Sequence, residues 1–276
     1  MKQKLRILCA FPTLVRVAAL MLIGGVVSGW ASPPKRPTPP GKGCSAWQDD
    51  FSLGLDSGRW VVASGQAPGY TAGSHIGYYQ TDHVTVENGY LKILLTQEGS
   101  ASKGYISRGG LVYTKAICGY GTYEWTMRMS STSGSPGASG EWVSGSVSAG
   151  FLYVNNSQTE IDFEYSATTP EDVWTVNWLN TNPRRDPTGA METATQVPLA
   201  EASATFHAYR FVWAPGLITF FIDDKRVATH TTDVPTAPAY FMINHWGTNG
   251  LGWGGTASPG KDRYFYVKSV SYTPLQ

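Results

Sequence analysis

Short runs in which apolar and polar residues alternate make up most of the chain beyond residue 44. In YGTYEWTMRM, residues 120–129, every second residue from Tyr123 to Met129 is aromatic or a methionine, as in a strand with one buried face. No stretch there keeps the 3.6-residue apolar period of a helix over three turns. With 31 glycines and 17 prolines in the chain, and runs that recur about every 8 to 12 residues, the pattern predicts an all-β fold, an antiparallel β-sandwich.

Tight turns separate several of these runs. Asn88-Gly89 lies between two alternating runs, and both residues tolerate the positive φ angles of a two-residue hairpin. Pro215-Gly216 and Asp223-Asp224 divide residues 206–230 into three strands in the same way. We therefore expect consecutive hairpins.

The first 43 residues differ from the rest and predict export. Basic residues up to Arg16 precede an apolar run that is shorter than the about 20 residues of a membrane span, and small residues follow up to Ala31. We predict a signal peptide over residues 1–31, a proline-rich linker over 32–43 and one domain over 44–276. The mature protein is expected to be secreted, outside the cell or in the periplasm, with no lipid anchor and no attachment to the membrane.

Charge and cysteine content narrow the possible partners. Residues 1–31 hold four of the 21 Lys and Arg residues and no acidic residue, so the formal net charge falls from +1 to about −3 in the mature chain. This balance predicts no nucleic-acid partner.

Cys44 and Cys118 are the cysteines that remain in the mature chain, and they form either one disulfide or two buried free thiols.

The segment TEIDFEY, residues 159–165, carries the candidate chemistry. On a strand, Glu160, Asp162 and Glu164 share one face at intervals of about 6.6 Å, where like charges repel one another. A hydrated sheet surface would tolerate them. Hydrolysis of a glycosidic bond would use them, because it needs one carboxylate as nucleophile and one carboxylic acid as proton donor. Asp162 could share a proton with the nucleophile, or its charge could keep the second glutamate protonated.

Other catalytic chemistries have little support. The histidines lack the spacing of a zinc site; they are His75, His83, His207, His230 and His245. The sequence has neither a G-x-S-x-G nucleophile elbow nor a glycine-rich phosphate loop before a helix. We therefore predict neither a metal nor a cofactor.

Several segments resemble glycoside hydrolase family 16, the jelly-roll family of lichenases, laminarinases, carrageenases and xyloglucan transglycosylases. The segments are EIDFE, WQDDFSLGLDSGRW, VENGYLKI, YTKAICGYGTYEWTMRM and FHAYRFVWAPGLITFFIDDKRV. The resemblance implies a jelly roll with a concave substrate cleft. It also implies that Glu160 is the nucleophile, Glu164 the acid/base and Asp162 the assisting carboxylate.

The segments VNWLNTNP and FMINHWGTNG favour the lichenase-like side of that family. The substrate-binding residues that the resemblance implies are Asn177, Asn244, Trp246 and Tyr70. Trp174 and Trp178 have the opposite strand parity to Asn177, so we expect them in the core. Lys268 stands where many members have an Asp that helps to hold calcium, so we expect no calcium there.

The implied activity is that of a secreted, endo-acting, retaining β-glucanase whose partner is a polysaccharide. Mixed-linkage β-1,3-1,4-glucan is the first choice of substrate and β-1,3-glucan the second. A galactan such as carrageenan or agar is third, because the low net charge disfavours a sulfated polymer. Transglycosylation on β-glucan or xyloglucan is an alternative with the same chemistry, and a non-catalytic carbohydrate-binding sandwich is an alternative without it. We expect a monomer.

Overall fold

The computed structural model describes residues 44–276, so the predicted signal peptide and linker lie outside the described residues. The described chain forms 17 β-strands and one short 3₁₀ helix, Thr81–His83. Within residues 44–276, no helix is long and apolar enough to cross a membrane. The prediction of an all-β fold is confirmed.

The strands are short at the start of the domain and longer after residue 90. In chain order they are β1 (Trp47–Asp49), β2 (Trp60–Val62), β3 (Gly65–Gln66), β4 (His75–Tyr79), β5 (Val84–Glu87), β6 (Tyr90–Ser100), β7 (Gly104–Cys118), β8 (Gly121–Ser131), β9 (Ser146–Val154), β10 (Thr159–Ser166), β11 (Asp172–Leu179), β12 (Met191–Pro198), β13 (His207–Ala214), β14 (Leu217–Ile222), β15 (Lys225–His230), β16 (Ala239–Gly247) and β17 (Arg263–Pro274).

These strands form two layers. One layer, the back sheet, has the order β5-β6-β17-β8-β13-β14-β15, and β1 also pairs with β17. The other layer, the cleft sheet, has the order β7-β16-β9-β10-β11-β12, and β2 also pairs with β7. The long strands β6 and β7 pair with each other and join the layers. Every pairing is antiparallel except that of β4 with β7, so the predicted antiparallel sandwich is confirmed.

The core between the two sheets is largely aromatic. On β8, every second residue from Tyr123 to Met129 is 0% exposed, as the alternation predicted. The Trp125 ring stacks on Phe241 of the cleft sheet with ring centroids 4.3 Å apart. A Cβ atom at Gly150 of β9 would lie 2.8 Å from the Trp125 ring, so only glycine lets the two sheets approach this closely.

The predicted hairpin turns are present. Asn88 and Gly89 have φ angles of 53° and 77° between β5 and β6. Asp223 and Asp224 have φ angles of 49° and 62° between β14 and β15. Two successive positive φ angles define the turn whose twist matches that of the flanking strands, and Asn, Asp and Gly tolerate it best.

A disulfide ties the start of the domain to the cleft sheet. Cys44, just before β1, is bonded to Cys118 at the end of β7, with Cα atoms 5.5 Å apart. This separation is typical of disulfides. Of the two alternatives left open by the sequence, the structure has the bridge.

Reduction of this disulfide should lower the melting temperature. The bridge spans a sequence separation of 74, for which the restriction of the unfolded chain predicts a stabilisation of about 4 kcal/mol. Thermal unfolding with and without reductant measures the effect, and Cys44→Ser serves as a variant that reductant should not destabilise further. Two reactive thiols in the denatured, unreduced protein would contradict the bridge.

Candidate active site

Strand β10 places all three carboxylates in one pocket, because Glu160, Asp162 and Glu164 share its cleft face. The residues between them, Ile161 and Phe163, are 0% exposed and point into the core. Asp162 is only 4% exposed. The alternative of a hydrated sheet surface is therefore wrong.

The floor of the pocket comes from β9 and β16. Ala149 of β9 pairs with Glu164 on one side and with Asn244 of β16 on the other. Tyr153 of β9 pairs with Glu160. Because Ala149 has so short a side chain, the floor leaves room between the Glu164 carboxyl group and the Asn244 amide.

Each glutamate has its own hydrogen-bond donor. The Ser157 hydroxyl donates to Oε2 of Glu160. The indole Nε1 of Trp253 donates to Oε1 of Glu164 at 3.1 Å. Oδ2 of Asp162 has no hydrogen-bond partner among the described residues. The three carboxyl groups therefore lie close together in the chain but differ in their contacts.

Burial raises the pKa of every carboxyl group in the row. For Glu160, loss of hydration raises the pKa to about 7, while the Ser157 hydrogen bond lowers it. For Glu164, loss of hydration raises the pKa to about 8, against the opposing effect of Trp253. Both glutamates therefore titrate near neutral pH, the range in which one carboxyl group can be ionised while the other holds a proton.

The raised pKa of Asp162 bears on the two roles that the sequence suggested. Its burial, with the charges of Glu160 and Glu164 as smaller causes, raises its pKa well above the ordinary range. Protonation of Asp162 disfavours the role in which its charge keeps Glu164 protonated. The role in which Asp162 shares a proton with the nucleophile stays a prediction, because no hydrogen bond joins Asp162 to Glu160 among the described residues.

Asn244 and Trp246 line this pocket. Nδ2 of Asn244 donates to the Tyr79 hydroxyl at 3.3 Å, while its Oδ1 is buried without a partner among the described residues. Trp246 packs beneath Gly69, where a Cβ atom would lie 3.0 Å from the indole ring. An indole suits the apolar face of a sugar ring, but the binding roles of Asn244 and Trp246 both stay predictions.

The placement predicted for Asn177 is wrong. Asn177 pairs with Ile161, whose side chain is in the core, and is itself 0% exposed. Its Nδ2 donates to the carbonyl oxygen of Asp233 at 2.8 Å, and its Oδ1 accepts a hydrogen bond from Nδ1 of His230 at 2.7 Å. Asn177 thus ties the cleft sheet to the segment after β15, and it does not face the cleft.

The prediction that Trp174 and Trp178 belong to the core is wrong for the same reason. Trp178 pairs with Glu160 and lines the pocket, and both tryptophans are only half-buried. The Trp174 ring packs edge-on against Trp253 at a centroid distance of 5.6 Å. Both faces of β11 carry apolar as well as polar residues, so parity alone did not identify the inner face.

Tyr70 lies close to the cleft, two residues after Pro68, which lines the pocket. Its side chain is 57% exposed. A binding role for Tyr70 stays a prediction.

The sequence did not predict the position of Glu192. Strand β12 places Glu192 opposite Trp178, and burial raises the pKa of its carboxyl group. Within residues 44–276, no three His, Cys, Asp or Glu side chains are arranged to hold a metal ion.

The cleft sheet of this sandwich carries a row of carboxyl groups in a pocket. Most glycoside hydrolases act through a pair of carboxyl groups, so the fold and the site together indicate this class of enzyme. The chain belongs to glycosyl hydrolases family 16, whose family model matches residues 74–260. That range includes the whole row on β10 and both pocket residues of β16.

Individual relatives agree with this assignment. A beta-glucanase of Acetivibrio thermocellus is 30% identical over 223 residues, which cover 78% of this chain and 59% of the relative. The chain therefore spans less than two thirds of that protein. A beta-glucanase of Bacillus subtilis is 26% identical over 95% of this chain and 99% of its own length. The structure of a Bacillus licheniformis beta-glucanase has the same fold, with a TM-score of 0.68 at 23% identity, over 85% of this chain and all of that one.

Replacing Glu160 by glutamine should make the protein more stable above neutral pH. The pKa of Glu160 is about 7 in the folded protein and about 4.3 when unfolded. The folded state therefore holds the extra proton, and the free energy of unfolding falls as the pH rises between these values. Glutamine never ionises, so the variant escapes this loss.

Melting temperatures of wild type and Glu160→Gln at pH 4 and pH 8 measure this effect. The difference in favour of the variant should be present at pH 8 and absent at pH 4. The exposed Glu171→Gln serves as the matched control. An equal difference at both pH values would contradict the burial of an ionisable Glu160.

Proposed function

We propose that this protein is a secreted, endo-acting β-glucanase that hydrolyses mixed-linkage β-1,3-1,4-glucan with retention of configuration. The observation that carries the proposal is the row of three carboxyl groups on the pocket face of β10, in which Glu160 and Glu164 have different donors, the Ser157 hydroxyl and the Trp253 indole. The proposed export rests on the pattern of residues 1–31.

The reaction proceeds in two displacements. In the first, a carboxylate oxygen of Glu160 bonds to the anomeric carbon as the bond to the leaving oxygen breaks, and Glu164 gives its proton to that oxygen. In the second, Glu164 takes a proton from water, whose oxygen bonds to the same carbon and releases Glu160. Two inversions give net retention. We propose that Asp162 shares a proton with Glu160 during the reaction, which lets the row change its charge without ionising all three groups.

The names of relatives support the choice of substrate. Relatives include beta-glucanases and an endo-1,3-1,4-beta-glycanase of Rhizobium meliloti that is 25% identical over 83% of this chain. Indole rings in the pocket lining, Trp178 and Trp246, suit the apolar faces of glucose rings. We also propose that the protein cleaves bonds within the polymer chain and acts as a monomer.

A screen for new reducing ends tests the substrate. Barley β-glucan should give the highest rate, laminarin a lower one, and xyloglucan and agar little or none. Chromatography of early products should show a mixture of oligosaccharides, because cleavage is internal. Higher activity on laminarin or agar would overturn the substrate, and longer products from added acceptor sugars would indicate transglycosylation.

Glu160→Gln should abolish hydrolysis and leave polysaccharide binding intact, because glutamine keeps the volume but cannot act as the nucleophile. In Glu160→Ala, which removes the side chain beyond Cβ, azide can occupy the freed space and attack from the same face, so it should restore turnover with an α-configured glycosyl azide as product. NMR of that product gives the configuration. Near wild-type activity without azide would show that another residue is the nucleophile.

A further inference from the structure

The turn between β9 and β10 has an unusual backbone. Asn155, Asn156 and Ser157 have φ angles of 47°, 51° and 58°, so three successive non-glycine residues are in the left-handed region. Asparagine tolerates this region through its short polar side chain, whereas serine does so less readily. The hairpin turns at Asn88-Gly89 and Asp223-Asp224 each have only two successive residues with positive φ angles.

Hydrogen bonds hold the turn on both sides. Within it, Nδ2 of Asn155 donates to Oε1 of Gln158 at 3.1 Å. Toward the segment that follows β11, Nδ2 of Asn156 donates to the carbonyl oxygen of Pro183 at 3.1 Å, and the backbone N–H of Asn180 donates to the carbonyl oxygen of Ser157 at 2.7 Å. The turn is thus fixed to the loop that forms one wall of the pocket.

This backbone aims one side chain at the reacting group. The Ser157 hydroxyl donates its hydrogen bond to Oε2 of Glu160, and both residues line the pocket. No other side chain among the described residues donates a hydrogen bond to Glu160. A donor to a carboxylate stabilises the ionised form over the protonated form.

We propose that Ser157 is a positioning residue for the nucleophile: its hydroxyl group, held by the left-handed turn, keeps Glu160 ionised and leaves Oε1 free to attack the sugar. This inference rests on the proposed function, in which Glu160 forms the covalent intermediate. In the second displacement the same hydroxyl stabilises the carboxylate as it leaves the anomeric carbon.

The hydrogen bond acts against burial and against the acidic groups near Glu160, which favour its protonated form. The titratable and charged groups on the elements around it are Asp162 and Glu164 on β10, Tyr153 on β9, Glu192 on β12, and Arg184, Arg185 and Asp186 in the loop after β11. Neither arginine forms a salt bridge with a described carboxylate. The Ser157 hydroxyl is therefore the contact on which ionisation of Glu160 depends.

Ser157→Gly tests the inference without disturbing the backbone, since glycine adopts a positive φ freely. Loss of the donor raises the pKa of Glu160, so the acidic limb of the pH profile of kcat/KM should move to higher pH. A shift of one pKa unit lowers kcat/KM about tenfold on that limb and leaves the alkaline limb in place. Asn155→Gly changes the same turn but not the contact with Glu160, and its profile should match the wild type.

Two further measurements, an NMR titration and the melting temperature, distinguish a positioning role of Ser157 from a purely structural one. Titration of ¹³C-labelled glutamate carboxyl groups by NMR should show a raised Glu160 pKa in Ser157→Gly, at an unchanged melting temperature. An unmoved acidic limb and an unmoved carboxyl titration overturn the inference, as does a loss of activity that is equal at every pH and accompanied by a lower melting temperature. The titration needs no turnover, so a raised Glu160 pKa together with failed azide rescue in Glu160→Ala would reject the proposed nucleophile and keep the effect of Ser157.

Discussion

The removal of carboxyl groups from water is the constraint on which the active site depends. Ions lose hydration on burial, so the row on β10 resists ionisation, and the side chains would escape to solvent if the strand were free to rotate. It is not free, because β9 and β11 bond to it on both edges and Phe163 is fixed between Trp125 and Tyr209 in the aromatic core. The favourable packing of the core thus offsets the free-energy cost of burying these carboxyl groups.

Similar burial of the two glutamates does not make them equivalent. The difference between them comes from contacts made by loops: a serine hydroxyl reaches Glu160 from the turn before β10, and an indole reaches Glu164 from the loop after β16. The sheet therefore provides the spacing and the shared low hydration, while the loops divide the roles. Such a division allows loops to tune the chemistry without any change in the strands.

The sequence predicted those features that repeat along the chain. Alternation on β8 and β10 identified the core and the carboxylate row, and turn residues such as Asn88 identified the hairpins. Asn177 and Trp178 were assigned to the wrong faces because β11 carries bulky residues on both sides, and a one-residue error exchanges the faces of a strand. Ser157 and Trp253 reach the carboxyl groups from loops, whose geometry follows no period.

The pairing of the first strand with the last has a consequence for how the domain is made. Trp47 of β1 lies opposite Tyr272 of β17, so contacts at the edge of the back sheet join residues more than two hundred positions apart. Such contacts slow folding, because a long loop must close before they form. The back sheet therefore cannot be completed until residues 263–274 have been synthesised. The pairing of β1 with β17 also brings the two ends of the domain together, where circular permutation is best tolerated.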